Sequence, residues 1–134
     1  EALKSLAEKL AIEDAVVFVG QVRDMAPEYV AADLFVMSSR WEGLPMTLLE
    51  AQYFGLASIA TDCPTGPREV LSGGSGYLVE PENPEALAKG LVLLMTQPEE
   101  RAAMSSEAKQ NARYYQPQAI RLEWINMFKD LRLT

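Results

Sequence analysis

The chain contains no histidine and a single cysteine, Cys63. Without histidine, imidazole general-base catalysis within these residues is excluded, and a zinc site is not expected. One cysteine cannot form an internal disulfide and fits a reducing compartment. No apolar run approaches the roughly 20 residues needed to span a bilayer. Basic residues are few and scattered: 12 Lys and Arg stand against 19 Asp and Glu, a net charge of -7. Nucleic-acid surfaces need clustered Lys and Arg, so that partner class is set aside. The chain also has no G-x-x-x-x-G-K-[ST] and no G-x-G-x-x-G after a strand. "GGSG" at 73–76 lies between a helix and a strand and reads as a turn.

What remains is an ordinary soluble composition, 49% apolar and 23% charged, in 134 residues, enough for one core. The opening "EALKSLAEKLAI" reads as an amphipathic helix already under way, not as a leader, and suggests a piece of a longer protein. Helical spacing of Leu3, Leu6, Ala7 and Leu10 predicts a helix over 2–11. "AVVFVG" (15–20), "DLFVMSS" (33–39), "ASIAT" (57–61) and "GYLVE" (76–80) predict four buried strands. Helices are predicted over 24–32, with Asp24 as N-cap, over 45–55, bounded by Pro45 and Gly55, and over 66–72. Three more open at Pro84, Pro98 and Pro117, where the missing proline N–H costs nothing. Alternating apolar strands and helices predict an α/β fold, a doubly wound, Rossmann-like parallel sheet flanked by helices.

In such sheets ligands bind beyond the carboxyl ends of the strands. "SRWEGLP" leaves one of these ends and opens a helix, whose N-terminal N–H groups attract phosphate. Gly43 permits close backbone approach, and Thr47 adds a hydroxyl in the first turn. Two glutamates flank this point. Glu42 precedes the helix, and Glu50 lies about 7 Å further along its axis at 1.5 Å per residue. A diphosphate on the helix N-terminus would carry groups extending both ways. Carboxylates accept well from hydroxyl-rich groups, and a nucleotide sugar supplies them on both sides: Glu42 could accept from the sugar and Glu50 from the ribose.

"RWEGLPMTLLEAQYFGLASIATDCPTGPREVLSGGSGYLVEP" resembles the C-terminal, donor-binding half of retaining GT-B glycosyltransferases of the group 1 or family 4 kind. Their signature, E-x7-E followed by a Gly and a Glu after the next strand, falls here on Glu42, Gly43, Pro45, Glu50, Ala51, Gly55, Gly66 and Glu69. The resemblance extends to "VVFVGQV", "YVAADLFVMSS" and "GYLVEPENPEALAKGL". It implies that Glu42, as the catalytic-site carboxylate, faces the donor sugar with the backbone of Gly43 and Leu44. It places Thr47 and Leu48 at the diphosphate, Glu50 at the ribose, Gln21 and Val22 near the base, and Glu69 at the donor or in a helix cap. It implies no metal and no cofactor beyond the nucleotide-sugar substrate. It also implies sugar transfer with retention, in polysaccharide or glycolipid assembly. The acceptor, a sugar or a lipid-linked sugar, would come through an N-terminal domain.

That domain, and an upstream Arg and Lys that hold the diphosphate, have no match among these residues. Half an active site is therefore expected, inactive in isolation. Residues 1–116 are expected to form the donor domain, and 117–134 a helix crossing to the N-terminal domain, or associating with a second copy in its absence. The implied setting is cytoplasmic, with the inner membrane face as an option for the parent. A GT-B-like sugar-nucleotide epimerase and a ligand-free α/β interaction domain remain as alternatives. Among neighbouring residues, Arg40 and Arg68 are expected to pair with Glu42 and Glu69, with phosphate as the alternative partner, and Cys63 to be partly buried. Trp41 is expected to pack on its loop, and Met46, Leu49, Tyr53 and Phe54 to lie in the core.

Overall fold

The structure is a computed structural model that describes residues 1–131. The part of the last-helix expectation that falls on residues 132–134 lies outside them. Helix α1 (Ala2–Lys9) and α2 (Ala26–Ala31) precede strand β1 (Leu34–Met37). Then come α3 (Met46–Phe54), β2 (Ala57–Thr61), α4 (Pro67–Val70), β3 (Gly76–Val79), α5 (Pro84–Thr96), α6 (Pro98–Asn111) and α7 (Pro117–Asp130). The strands form one parallel sheet in the order β1-β2-β3, with Val36 opposite Ile59 and Ile59 opposite Tyr77.

Side chains of β2 alternate between two helical layers, as a strand's period of two requires. Ala60 joins Met37, Leu48, Leu49, Val70 and Leu71 on the α3 and α4 side. Ala57 and Ile59 join Leu94 and Met104 on the α5 and α6 side. All five residues of β2 are buried, so the central strand has no polar face. Ser58 is accommodated because its hydroxyl donates to the Leu56 carbonyl at 2.9 Å. The fully buried Gln52 donates to the Ser75 carbonyl at 2.9 Å and ties α3 to the entrance of β3.

Helix ends follow local chemistry. Gly55 closes α3 with φ +76°, and the Leu56 N–H reaches back to the Ala51 carbonyl at 2.9 Å. The Asn83 side chain accepts from the Ala86 N–H at 2.9 Å and caps α5. Asp24 stands one position before the N-cap of α2, which is Met25. It accepts from the Ala26 N–H at 3.1 Å in an Asx-type turn.

The run at 15–20 departs from expectation. It pairs with no strand among the described residues, and β1 has only β2 beside it. Val17 is 83% exposed, and Phe18 and Val19 are also exposed. The Lys4 ammonium lies 5.8 Å from the Phe18 ring centroid. The apolar pattern favours extension, but a strand exists only against a partner edge. The sheet therefore has three strands where four are expected.

One close approach organises the ligand end of the sheet. Gly66, before α4, has φ +90° and ψ -61°. A Cβ there would overlap the Gly43 carbonyl oxygen and stand 2.5 Å from Pro45 Cδ. Glycine is thus required twice, by backbone conformation and by space.

Three substitutions test this packing. Leu94→Ala empties a fully buried site and should cost about 2–5 kcal/mol in urea denaturation. Leu93→Ala, at a side chain that is 40% exposed, should cost under about 1 kcal/mol. Gly66→Ala should cost about 2 kcal/mol or more, and should shift the amide resonances of residues 42–45. A Gly66→Ala protein with unchanged stability and spectrum would contradict the close approach.

Candidate functional site

The segments leaving β1 and β2 are knitted into one platform. The Thr61 hydroxyl donates to the Ser39 carbonyl, and the Ser39 hydroxyl donates to Glu42 Oε1 at 2.6 Å. The Thr65 hydroxyl donates to the Glu42 backbone carbonyl. Glu42 is half-buried, so this carboxylate is held in place rather than free in solvent. Behind it, Gly66 presses on Gly43 as described above. The outward side of Gly43 is open: a Cβ added there would meet nothing within 4 Å. Packing within the chain does not demand glycine at 43, and the space beside it is available to a ligand.

Pro45 is the N-cap of α3, and its carbonyl accepts from the Leu48 and Leu49 N–H groups, both at 3.1 Å. The N–H groups of Met46 and Thr47 have no acceptor within the helix, as at any helix start, and give this end its partial positive charge. Thr47 is exposed there. Leu44 is exposed beside it, while Leu48 is fully buried in the core. The Leu48 side chain lies in the core, and its N–H lies in the first turn of α3 on the Pro45 carbonyl.

Glu50 belongs to a different surround. The Tyr29 hydroxyl, carried by α2, donates to Glu50 Oε2 at 2.9 Å and stands 3.3 Å from the Thr47 carbonyl. Burial first, and then the Glu50 carboxylate, push the Tyr29 phenol up to about 12. Beside them is a hollow of about 300 Å³ lined by Arg23, Asp24, Met25, Ala26, Tyr29, Glu50 and Phe54. Gln21, exposed, and Val22, half-buried, precede these residues but do not line the hollow. It is Arg23–Ala26 that adjoin Glu50.

Several neighbours lie elsewhere than expected. Arg40 pairs with Glu82 at 2.9 Å, not with Glu42. Arg68 forms a two-pronged bond with Asp62 through Nε at 3.1 Å and through its terminal nitrogen, not with Glu69. Asp62 continues from β2, with its N–H on the Val79 carbonyl at 2.8 Å, so it is presented directly to α4. The Glu69 side chain is exposed and forms no cap at α4. Its backbone carbonyl accepts from the Tyr115 hydroxyl at 3.2 Å, and that phenol is raised by burial and by the Glu69 charge. Trp41, Met46 and Tyr53 are exposed, because the loop and the outer face of α3 offer nothing to cover them. Leu49 and Cys63 are buried, and Phe54 is half-buried. Among the described residues, no three Cys, His, Asp or Glu side chains converge where a metal ion could sit.

Sequence reasoning did not anticipate the supporting hydroxyls of Tyr29, Ser39, Thr61 and Thr65. Thr61 ends β2 and Ser39 follows β1 by two residues, the one available signal. Nothing local connects Tyr29 with a glutamate 21 positions away.

Comparison with known proteins bears on this arrangement. Residues 1–111 match the family model described as glycosyl transferases group 1. An uncharacterized glycosyltransferase of Haemophilus influenzae is 35% identical over 125 residues, covering 92% of this chain and 35% of that protein. The amylovoran biosynthesis glycosyltransferase AmsD of Erwinia amylovora is 32% identical over 117 residues, covering 87% of this chain and 33% of its own length. The structure of Anabaena HepE in complex with UDP-glucose superposes with a TM-score of 0.78 at 25% identity, over 83% of this chain and 31% of HepE. The chain spans about a third of the length of these relatives. No helix of the described residues is long and apolar enough to cross a membrane. The fold is that of GT-B glycosyltransferases, and the chain belongs to the group 1 glycosyltransferase family.

Proposed function

We propose that this chain is the donor-binding part of a glycosyltransferase that takes a sugar from a nucleoside-diphosphate sugar and transfers it with retention. The observation that carries this reading is the placement of two carboxylates on either side of one open helix N-terminus. Glu42 is held by Ser39 ahead of α3, and Glu50 by Tyr29 within it. The diphosphate sits on the first turn of α3, against the N–H groups of Met46 and Thr47 and the Thr47 hydroxyl. The sugar lies toward Glu42, Gly43 and Leu44, and the ribose toward Glu50. The bound UDP-glucose in HepE supports a nucleotide sugar as the ligand class. The role of AmsD in amylovoran biosynthesis supports polysaccharide assembly as the setting.

In the proposed reaction the helix N-terminus stabilises negative charge that develops on the departing diphosphate, an electrostatic role. Glu42 positions the reacting sugar ring by accepting from its hydroxyls and is not a nucleophile. The acceptor attacks from the face that the diphosphate leaves. The acceptor site, and further cations for the diphosphate, belong to the remainder of the whole protein.

We also propose that α7 meets a partner surface. None of its residues is buried, and Ile120, Trp124, Met127, Phe128 and Leu131 expose an apolar stripe. The Trp124 and Phe128 rings lie tilted against each other on that stripe, with centroids 5.6 Å apart. In the whole protein the partner is the N-terminal domain. For this chain alone the expected outcome is self-association in sedimentation, relieved by Trp124→Glu. A strict monomer at high concentration that binds no hydrophobic dye would count against it.

The two glutamates should fail differently. Glu50→Ala should weaken binding of a bare nucleoside diphosphate by about tenfold, the scale of one hydrogen bond to a charged group. Glu42→Ala should leave that affinity unchanged, because this ligand carries no sugar. In the whole protein, Glu42→Ala should instead lower kcat/KM, because the reacting ring is no longer positioned. Titration calorimetry reads the first pair and steady-state kinetics the second. Equal losses for bare nucleotide from both variants would place sugar and ribose wrongly.

A further inference from the structure

We propose that Tyr29 is the positioning residue of the nucleotide site: its hydroxyl occupies one oxygen of Glu50 and sets the other toward the ligand's ribose hydroxyls. This rests on the reading of Glu50 as the ribose acceptor. Glu50 is exposed, and a free glutamate on a helix surface loses side-chain entropy on gripping a ligand. Tyr29 removes much of that freedom in advance. Its ring is 4% exposed. It stacks on Phe54 with centroids 5.4 Å apart and an interplanar angle of 21°, and packs on Phe35 at 6.2 Å. Phe54 lies one helical turn beyond Glu50 on α3. The helix that carries the carboxylate therefore also fixes the ring that orients it.

The hydroxyl has one proton and two acceptors in reach, Glu50 Oε2 at 2.9 Å and the Thr47 carbonyl at 3.3 Å. The charged and closer acceptor wins. Among the described residues Glu50 Oε1 has no protein donor, and the hollow lined by Arg23–Ala26 opens beside it. One oxygen is committed to the protein and one is left for a ligand hydroxyl. A group without that hydroxyl would leave Oε1 unmatched, so the arrangement selects for a ribose over a deoxygenated sugar.

The test uses the whole protein, which supplies the remaining diphosphate contacts, with UDP, GDP and ADP, each beside its 2′,3′-dideoxy counterpart, in titration calorimetry. Wild type should prefer the ribonucleotide by about tenfold, and Glu50→Ala should abolish the preference. Tyr29→Phe keeps the ring stack and removes only the oxygen. It should lower ribonucleotide affinity about threefold and leave the dideoxy affinity unchanged. A merely structural tyrosine would instead weaken both ligands equally or neither, and either result overturns the inference. If Glu50→Ala keeps the ribose preference, or no nucleotide binds, the donor-site reading itself fails and takes the inference with it. A second measurement needs no ligand. NMR titration of the Tyr29 ring carbons, with methyl resonances marking the folded state, should show Glu50→Gln lowering its raised ionisation. An unmoved titration would show that the hydroxyl does not hold the carboxylate.

Discussion

The contact between Gly66 and the Gly43 carbonyl is the constraint on which the ligand end of this domain depends. Two loops leave two parallel strands, and parallel strands are joined only by long crossovers. Nothing in the sheet ladder therefore sets the spacing of the loops beyond the strand ends. Backbone-to-backbone approach at Gly66 does so, and the Thr65–Glu42 and Thr61–Ser39 bonds lock the same pair of loops on either side of it. The consequence reaches Glu42, whose carboxylate takes its orientation from Ser39 and whose main chain takes its position from Thr65.

The electrostatics of the platform follow from which charges are already engaged. Arg40 is committed to Glu82 and Arg68 to Asp62. The chain as a whole is acidic, with a net charge of -7. A diphosphate at α3 would meet fixed backbone N–H groups between two carboxylates, with Arg23 lining the hollow beside Glu50. Helix-terminal attraction alone is worth typically 0.3–1 kcal/mol at an exposed site, roughly the scale of a single weak hydrogen bond. That is too little for tight retention of a doubly charged group. In the proposed donor site, hydroxyl contacts to Glu42 and Glu50 would contribute affinity as well as orientation, and cations from outside these residues would add to it.

How much of this was legible depended on whether the determinant was local. The α3 boundaries were, because Pro45 and Gly55 act through their own backbone geometry, and so was the Asn83 cap, three residues from its donor. The arginine partners were not. Arg68 could reach Glu69 or Asp62 by sequence distance alone. The turn of chain between β2 and α4 decided it, by extending the β2 ladder through Asp62. Leu48 shows the same limit: it belongs to the helix turn at the site, but the 3.6-residue period points its side chain into the core. The Tyr29–Glu50 contact was the least visible, because it exists only once α2 packs against α3.

The run at 15–20 marks the same boundary from the other side. Its β-branched and aromatic residues carry as strong a strand signal as β2, whose five residues are all buried. Strand propensity, however, measures fit to a half-buried pleated surface and supplies no hydrogen-bond partners. β2 is a strand because β1 and β3 lie on both sides of it, and β1 itself has a neighbour on only one side among the described residues. Residues 17–19 have the composition of a strand but do not pair with the open edge of β1, so their apolar side chains face solvent and Lys4 stands over Phe18 in place of sheet packing.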